Sequence, residues 1–92
     1  MDTLLPSHVE VPSDVLFQEL KGEAVLLNLE TERYYGLDSV GTRMWELLAV
    51  DGDVAGAFEQ LSKEYDVPPD VLRRDMAGLI AKLAQLGLLK VN

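Results

Sequence analysis

The chain has no cysteine and only one histidine and one tryptophan among its 92 residues. Without thiols there is no disulfide framework, no thiolate zinc site and no cysteine nucleophile. The lone histidine, His8, sits in a polar N-terminal stretch with no nucleophile-elbow pattern beside it, so a Ser-His-Asp triad has no support. Basic residues are scarce: eight Lys and Arg stand against sixteen Asp and Glu, a net charge of −8. A duplex-binding protein needs a basic face to neutralise phosphates, and this balance argues against nucleic acid. No apolar run approaches the roughly 20 residues of a membrane span. The opening MDTLLPSHVE also lacks the basic-then-apolar order of a signal peptide, so neither membrane nor export is expected. Gly36, Gly41 and Gly56 are too dispersed to cradle a phosphate. Asp51 and Asp53 flank Gly52 without the ligand ladder or closing Glu of a calcium loop, and read as helix caps. The expectation is therefore no catalytic residue, no cofactor and no metal, in a protein whose lack of cysteine fits the cytoplasm.

What is present is a hydrophobic content of 48% with mixed charge, the signature of one folded domain spanning residues 1–92. The acidic balance would attract basic segments of a partner. Two periodicities divide the chain. The first half reads as β: VLFQEL (15–20), a Lys21-Gly22 turn, AVLLNL (24–29), a turn at Glu30-Thr31-Glu32, and RYYGL (33–37). This predicts a three-stranded antiparallel meander, with Val9–Val11 as an extra edge strand. From Asp38 the period becomes helical. Asp38 or Ser39 caps a first helix whose inner face carries Val40, Met44, Leu47 and Leu48, with Trp45 beside it as a core residue. Gly52 ends it and Asp53 starts a second helix along Val54, Ala57, Phe58, Leu61 and Tyr65. Pro68-Pro69 restarts the chain into a third helix to about Leu86, with Leu72, Met76, Leu79, Leu83 and Leu86 as its apolar stripe. Leu88–Val91 reads as a last short strand. The fold class is α+β, winged helix-turn-helix-like: a three-stranded antiparallel sheet followed by three helices.

Two features suit binding. The third strand, Arg33, Tyr34, Tyr35, Gly36 and Leu37, offers free backbone groups to an incoming peptide if it lies at a sheet edge. The third helix, away from its leucine stripe, presents Arg73, Arg74, Ala77, Ile80, Ala81 and Ala84: small residues that admit another backbone, and arginines that can meet carboxylates. Alternation puts the two tyrosines on opposite faces. Tyr34 is assigned as the contact residue, with Tyr35, on the face of Leu37, as the alternative.

AVLLNLETERYYGLDSVGTRMWELL, EYDVPPDVLRRDM and LAQLGLL, in this order and spacing from about Asp14 to Leu89, resemble the PqqD-like family. These are the peptide-recognition domains (RiPP recognition elements) of ribosomally made, modified peptides. Within it the likeness is to the stand-alone leader-binding proteins of lasso-peptide clusters. The resemblance implies a winged helix-turn-helix fold without DNA binding. It also implies a non-catalytic adaptor, with its recognition core at about residues 14–89. The precursor's leader would add as an antiparallel strand to the third strand, against the third helix. A Tyr-x-x-Pro element of the leader would place its ring in an apolar pocket, and a separate cysteine protease would remove the leader. A dimer through the exposed third strand is also expected when no leader is bound. Alternative readings are a carrier for a radical-SAM or other modifying enzyme, and a winged-helix DNA-binding regulator using Lys63, Arg73, Arg74 and Lys82.

Overall fold

A computed structural model describes residues 5–91. The elements run β1 (Val9–Glu10), β2 (Val15–Leu20), β3 (Glu23–Asn28), β4 (Tyr34–Leu37), α1 (Ser39–Asp51), α2 (Val54–Glu64), α3 (Pro69–Gln85) and β5 (Lys90–Val91). This is the expected α+β order. Strands β2, β3 and β4 form an antiparallel sheet in chain order, so β3 is central and β4 lies at an edge. The β2–β3 hairpin turns on Lys21 and Gly22, whose φ of 57° and 83° are both positive, as the two-residue turn that matches the right-handed twist of the strands requires.

The two short terminal strands exist but do not join the meander. β1 pairs antiparallel with β5, Val9 opposite Val91, in a separate two-stranded ribbon. The chain ends are thereby tied together, and Val9 is fully buried there. The Val9 amide donates to the Gly52 carbonyl at 3.0 Å, across the turn between α1 and α2. A Cβ at residue 52 would strike the Val9 carbonyl, and its φ of 77° is left-handed, so both space and conformation call for glycine.

The core lies between one face of the sheet and the three helices. Alternation along β3 sends Ala24, Leu26 and Asn28 inward and leaves Glu23 and Val25 exposed. Leu26 meets Met44, Trp45 and Leu48 of α1, Leu61 of α2, and Met76 and Leu83 of α3 in one buried cluster. Trp45 is a core residue as expected, 3% exposed, and its ring stacks on Phe17 of β2 with centroids 6.4 Å apart. Asp38 caps α1 by accepting from the Gly41 amide at 2.8 Å. Val40, expected on the buried face of α1, is exposed instead: it occupies the first turn, before the helix reaches the core.

Asn28 is buried, and both its amide nitrogen and its amide oxygen are hydrogen-bonded. Its Nδ2 donates to the Gly87 carbonyl at 2.7 Å, and its Oδ1 accepts from the Glu30 and Thr31 amides at 2.9 and 3.1 Å. One side chain thus shapes the β3–β4 turn and fastens it to the end of α3. At the surface, Arg43 of α1 bridges to Glu64 of α2, with Nη2 2.7 Å from Oε2, and also reaches Glu46. Hydrogen bonding to Arg43 holds the Glu64 carboxyl at about 2, well below the usual carboxylate range, and Glu64 in turn raises the Arg43 guanidinium.

Candidate peptide-binding groove

Among the described residues no strand pairs with the outer edge of β4. The register shows which tyrosine faces where. Tyr35 and Leu37 lie opposite Leu26 and Ala24, on the inner face, whereas Tyr34 and Gly36 lie opposite Leu27 and Val25, on the outer face. Tyr35 is half-buried against the core, and Tyr34 is 71% exposed on the other side of the sheet. Arg33 precedes the strand and is exposed, while its carbonyl accepts from the Asn28 amide at 2.8 Å.

Beside the inner face of β4 runs an open groove of about 550 Å³. One wall is Tyr35, Gly36 and Leu37. The first turns of α1 supply Asp38, Val40, Gly41 and Met44, and the opposite wall is Arg74, Asp75, Gly78 and Leu79 of α3. Gly41 fits against its neighbours: a Cβ there would come within 3.3 Å of both Asp38 Oδ1 and Leu37 Cδ2. Gly78 is different, because a Cβ there would meet nothing within 4 Å. Its bare backbone faces open space in the middle of a helix.

The strand residues Tyr35, Gly36 and Leu37 and the helix residue Arg74 are therefore brought together on one groove. The other helix positions are not on its wall. Ile80, expected on the outward face of α3, is 2% exposed and belongs to the core, while Leu79, expected in the core stripe, is turned to the groove. The physical reason is the pitch of the helix. Successive residues are about 100° apart, so choosing Ile80 over its neighbour rotates the whole face. Ala77 and Ala84 are half-buried and Ala81 is exposed, all off the groove wall. Arg73 lies over the Phe58 ring of α2, 4.9 Å from its centroid, on that other side.

Asp38, Val40, Gly41, Met44, Asp75, Gly78 and Leu79 were not legible as site residues from pattern. One signal pointed at the true face: glycine inside a helix costs about 1 kcal/mol relative to alanine, so Gly78 asked for a reason. Chemically the groove offers unpaired backbone groups, apolar contacts at Val40, Met44 and Leu79, one guanidinium and two carboxylates. That mixture suits a peptide and suits a phosphate backbone poorly. Among the described residues no group of three or more His, Asp or Glu is placed to hold a metal, and no helix is long and apolar enough to cross a membrane.

Comparison with known proteins accords with this geometry. A search of curated proteins found no match. Among solved structures, the chain is similar to TbiB1 in complex with the TbiA(beta) leader peptide, at 32% identity and a TM-score of 0.82, covering 87% of this chain and 93% of that one. It shares its fold with lasso peptide synthetase B1 complexed with the leader peptide, at 20% identity and a TM-score of 0.72, covering 89% of this chain and 96% of that one. Residues 23–89 match the family described as coenzyme PQQ synthesis protein D (PqqD). That span holds the sheet edge, both groove walls and all three helices, and the chain belongs to the PqqD family.

Proposed function

We propose that this protein is a non-catalytic, cytoplasmic adaptor of lasso-peptide biosynthesis. In this reading residues 1–92 form one recognition domain with its core at about 14–89. It binds the leader of a ribosomally made precursor and delivers it to a separate cysteine protease. The observation that carries the reading is the groove: an open strand edge on one side and a bare helix backbone at Gly78 on the other. The similarity to TbiB1, solved with a leader peptide, supports it. The leader adds as an antiparallel strand to β4. Its alternate side chains enter the groove toward Val40, Met44 and Leu79, and its acidic groups meet Arg74.

The energetics divide between register and specificity. Each backbone hydrogen bond to β4 contributes only about 0.5–1.5 kcal/mol net. Burying one aromatic or aliphatic anchor adds about 1.5–3 kcal/mol. Ordering a free peptide opposes both terms. Selectivity among leaders therefore resides in the groove side chains, while strand pairing sets direction and register. The adaptor accelerates processing by raising the local concentration of precursor at the enzyme.

The test is a titration of the protein with a synthetic leader from the precursor encoded beside it, read by fluorescence anisotropy. Affinity of about 1 μM or tighter, worth about −8 kcal/mol, is expected. No measurable binding to that leader refutes the reading. The PqqD match also suits a carrier for a radical-SAM or other modifying enzyme. Acceleration of that enzyme, and not of the protease, would favour this second reading.

A further inference from the structure

The sheet has a second open edge. Among the described residues no strand pairs with the outer side of β2, at the far end of the sheet from β4. The Leu29 amide donates to the Asp14 carbonyl at 2.8 Å, so Asp14, Leu16 and Gln18 bond toward β3. By alternation Phe17 and Glu19 aim their N–H and C=O groups away from the sheet. Their register opposite Leu26 and Ala24 puts both side chains on the inner, helix-bearing face. There β2 and α1 border an open, mainly apolar cleft of about 380 Å³, lined by Val11, Val15, Phe17, Trp45, Glu46 and Ala49. Phe17 lies on Trp45 and is still 39% exposed, so an aromatic surface meets solvent beside unpaired backbone groups. Edge strands are commonly blunted by a bulge, a proline or a lysine. β2 has none of these within Val15–Leu20 and runs in unbroken register with β3.

We propose that this cleft is a second strand-addition site, which takes an antiparallel segment of a partner protein carrying one large apolar side chain flanked by lysine or arginine. The site is separate from the β4 groove and independent of leader binding there. Charge selects the occupant. Residues 1–20 contain no lysine or arginine. Asp14 and Glu19, at the strand edge, form no ion pair among the described residues, and Glu46 on the opposite wall touches Arg43 at 3.3 Å. A cationic segment is drawn to these three carboxylates, in a chain of net charge −8. Pairing with Phe17 and Glu19 then fixes its register, and its apolar side chain packs beside Phe17 and Trp45. A second copy of this chain, pairing β2 with β2, brings two acidic edges together, which like-charge repulsion disfavours. Glu19 on the inner face of an edge strand deters the same self-pairing while it admits a basic strand.

The experiment titrates the full chain with the probe peptide acetyl-Lys-Thr-Phe-Thr-Lys-Thr-Lys-amide, which as a strand puts its lysines and phenylalanine on one face. Trp45 is the only tryptophan of the chain and lines the cleft, so its emission reports occupancy of this site. A saturable change with a Kd of about 100 μM or tighter is expected. A second probe, N-methylated at Phe and at the lysine two residues on, keeps the charge but cannot donate to β2, and should bind at least about tenfold more weakly. Glu19→Lys and Ala49→Lys reverse or add charge at exposed positions of the two walls, and each should weaken binding at least about fivefold. Gly78→Leu, in the β4 groove, should leave this titration unchanged. No response of Trp45 overturns the proposal. Equal binding of the methylated probe overturns it by reducing the effect to charge attraction, and loss of binding in Gly78→Leu overturns it by placing the peptide at β4. A dimer of the free protein in sedimentation that Ala49→Lys disperses gives the cleft to self-association and also overturns it. Circular dichroism verifies the fold of each variant, and Ala49→Lys, on a helix surface, serves alone if Glu19→Lys does not fold.

Discussion

Replacing Gly78 with alanine should strengthen the protein and weaken its grip on the peptide. Gly78 lies inside α3, nine residues from its first residue and seven from its last, and a Cβ there meets no atom within 4 Å. Alanine in a helix interior is favoured over glycine by about 1 kcal/mol, part of it through the unfolded chain. For a domain of this size that corresponds to a rise of about 5 °C in Tm. The same methyl protrudes into the groove where the structure leaves bare backbone. If it displaces part of one buried anchor, about 1 kcal/mol of binding is lost, close to a fivefold weaker Kd. Gly78→Leu fills the space and should lower affinity by at least about tenfold. Differential scanning fluorimetry gives the first quantity and leader anisotropy the second. Opposite signs are the diagnostic result. A higher Tm with unchanged affinity for both variants would show that the peptide does not pass Gly78, and a lower Tm would show that the position is not free.

Other perturbations separate the walls of the site from its scaffold. Tyr35→Ala should lower both affinity and Tm, since Tyr35 packs on the core and lines the groove, whereas Tyr34→Ala should change leader affinity little; paired melts and titrations distinguish them. Arg74→Ala should weaken leader binding with Tm nearly constant, while Arg73→Ala, whose side chain covers Phe58, should leave affinity unchanged. Asn28→Ala strands the Gly87 carbonyl and two turn amides, and should cost about 1–3 kcal/mol in urea denaturation. The depressed Glu64 carboxyl contributes stability that is present above the ordinary carboxylate range and lost as pH falls through about 2. Glu64→Gln should flatten the acid limb of the stability curve, by a small amount that salt reduces further because the pair is at the surface.

Where pattern and structure part company, the cause is local and physical. Strand and helix order were legible because hydrophobic spacing changes from two to about 3.6 at Asp38, and because Lys21-Gly22, Gly52 and Pro68-Pro69 punctuate the chain. The capping of α1 by Asp38 and the burial of Trp45 followed from the same signals. The face of α3 did not. Leu79 and Ile80 are adjacent and equally apolar, and a leucine stripe continued at every third or fourth residue passes through Leu79. The core takes Leu72, Met76, Ile80 and Leu83 instead. Long-range pairs left no trace in the sequence either: Phe17 on Trp45, Arg43 on Glu64 and β1 on β5 are each joined only by the fold. The strand wall of the groove was readable because a meander's last strand is an edge by construction; the helix wall was not, because it depended on a rotation of about 100°.

The amide of Asn28 has a consequence for how selective such a module can become. It fastens the turn before β4 to the end of α3, two segments 59 residues apart in sequence, through a 2.7 Å bond. One end of the cleft thereby has a fixed gauge. A guest that is too wide cannot spread the cleft there without stranding buried polar atoms, so poor guests are rejected by geometry and good ones bring the whole entropic burden themselves. Retargeting the module to a foreign precursor should then proceed by changing side chains at Val40, Arg74, Asp75 and Leu79 while Asn28 and Gly87 stay untouched, much as a caliper is reset at its jaws and not at its pivot.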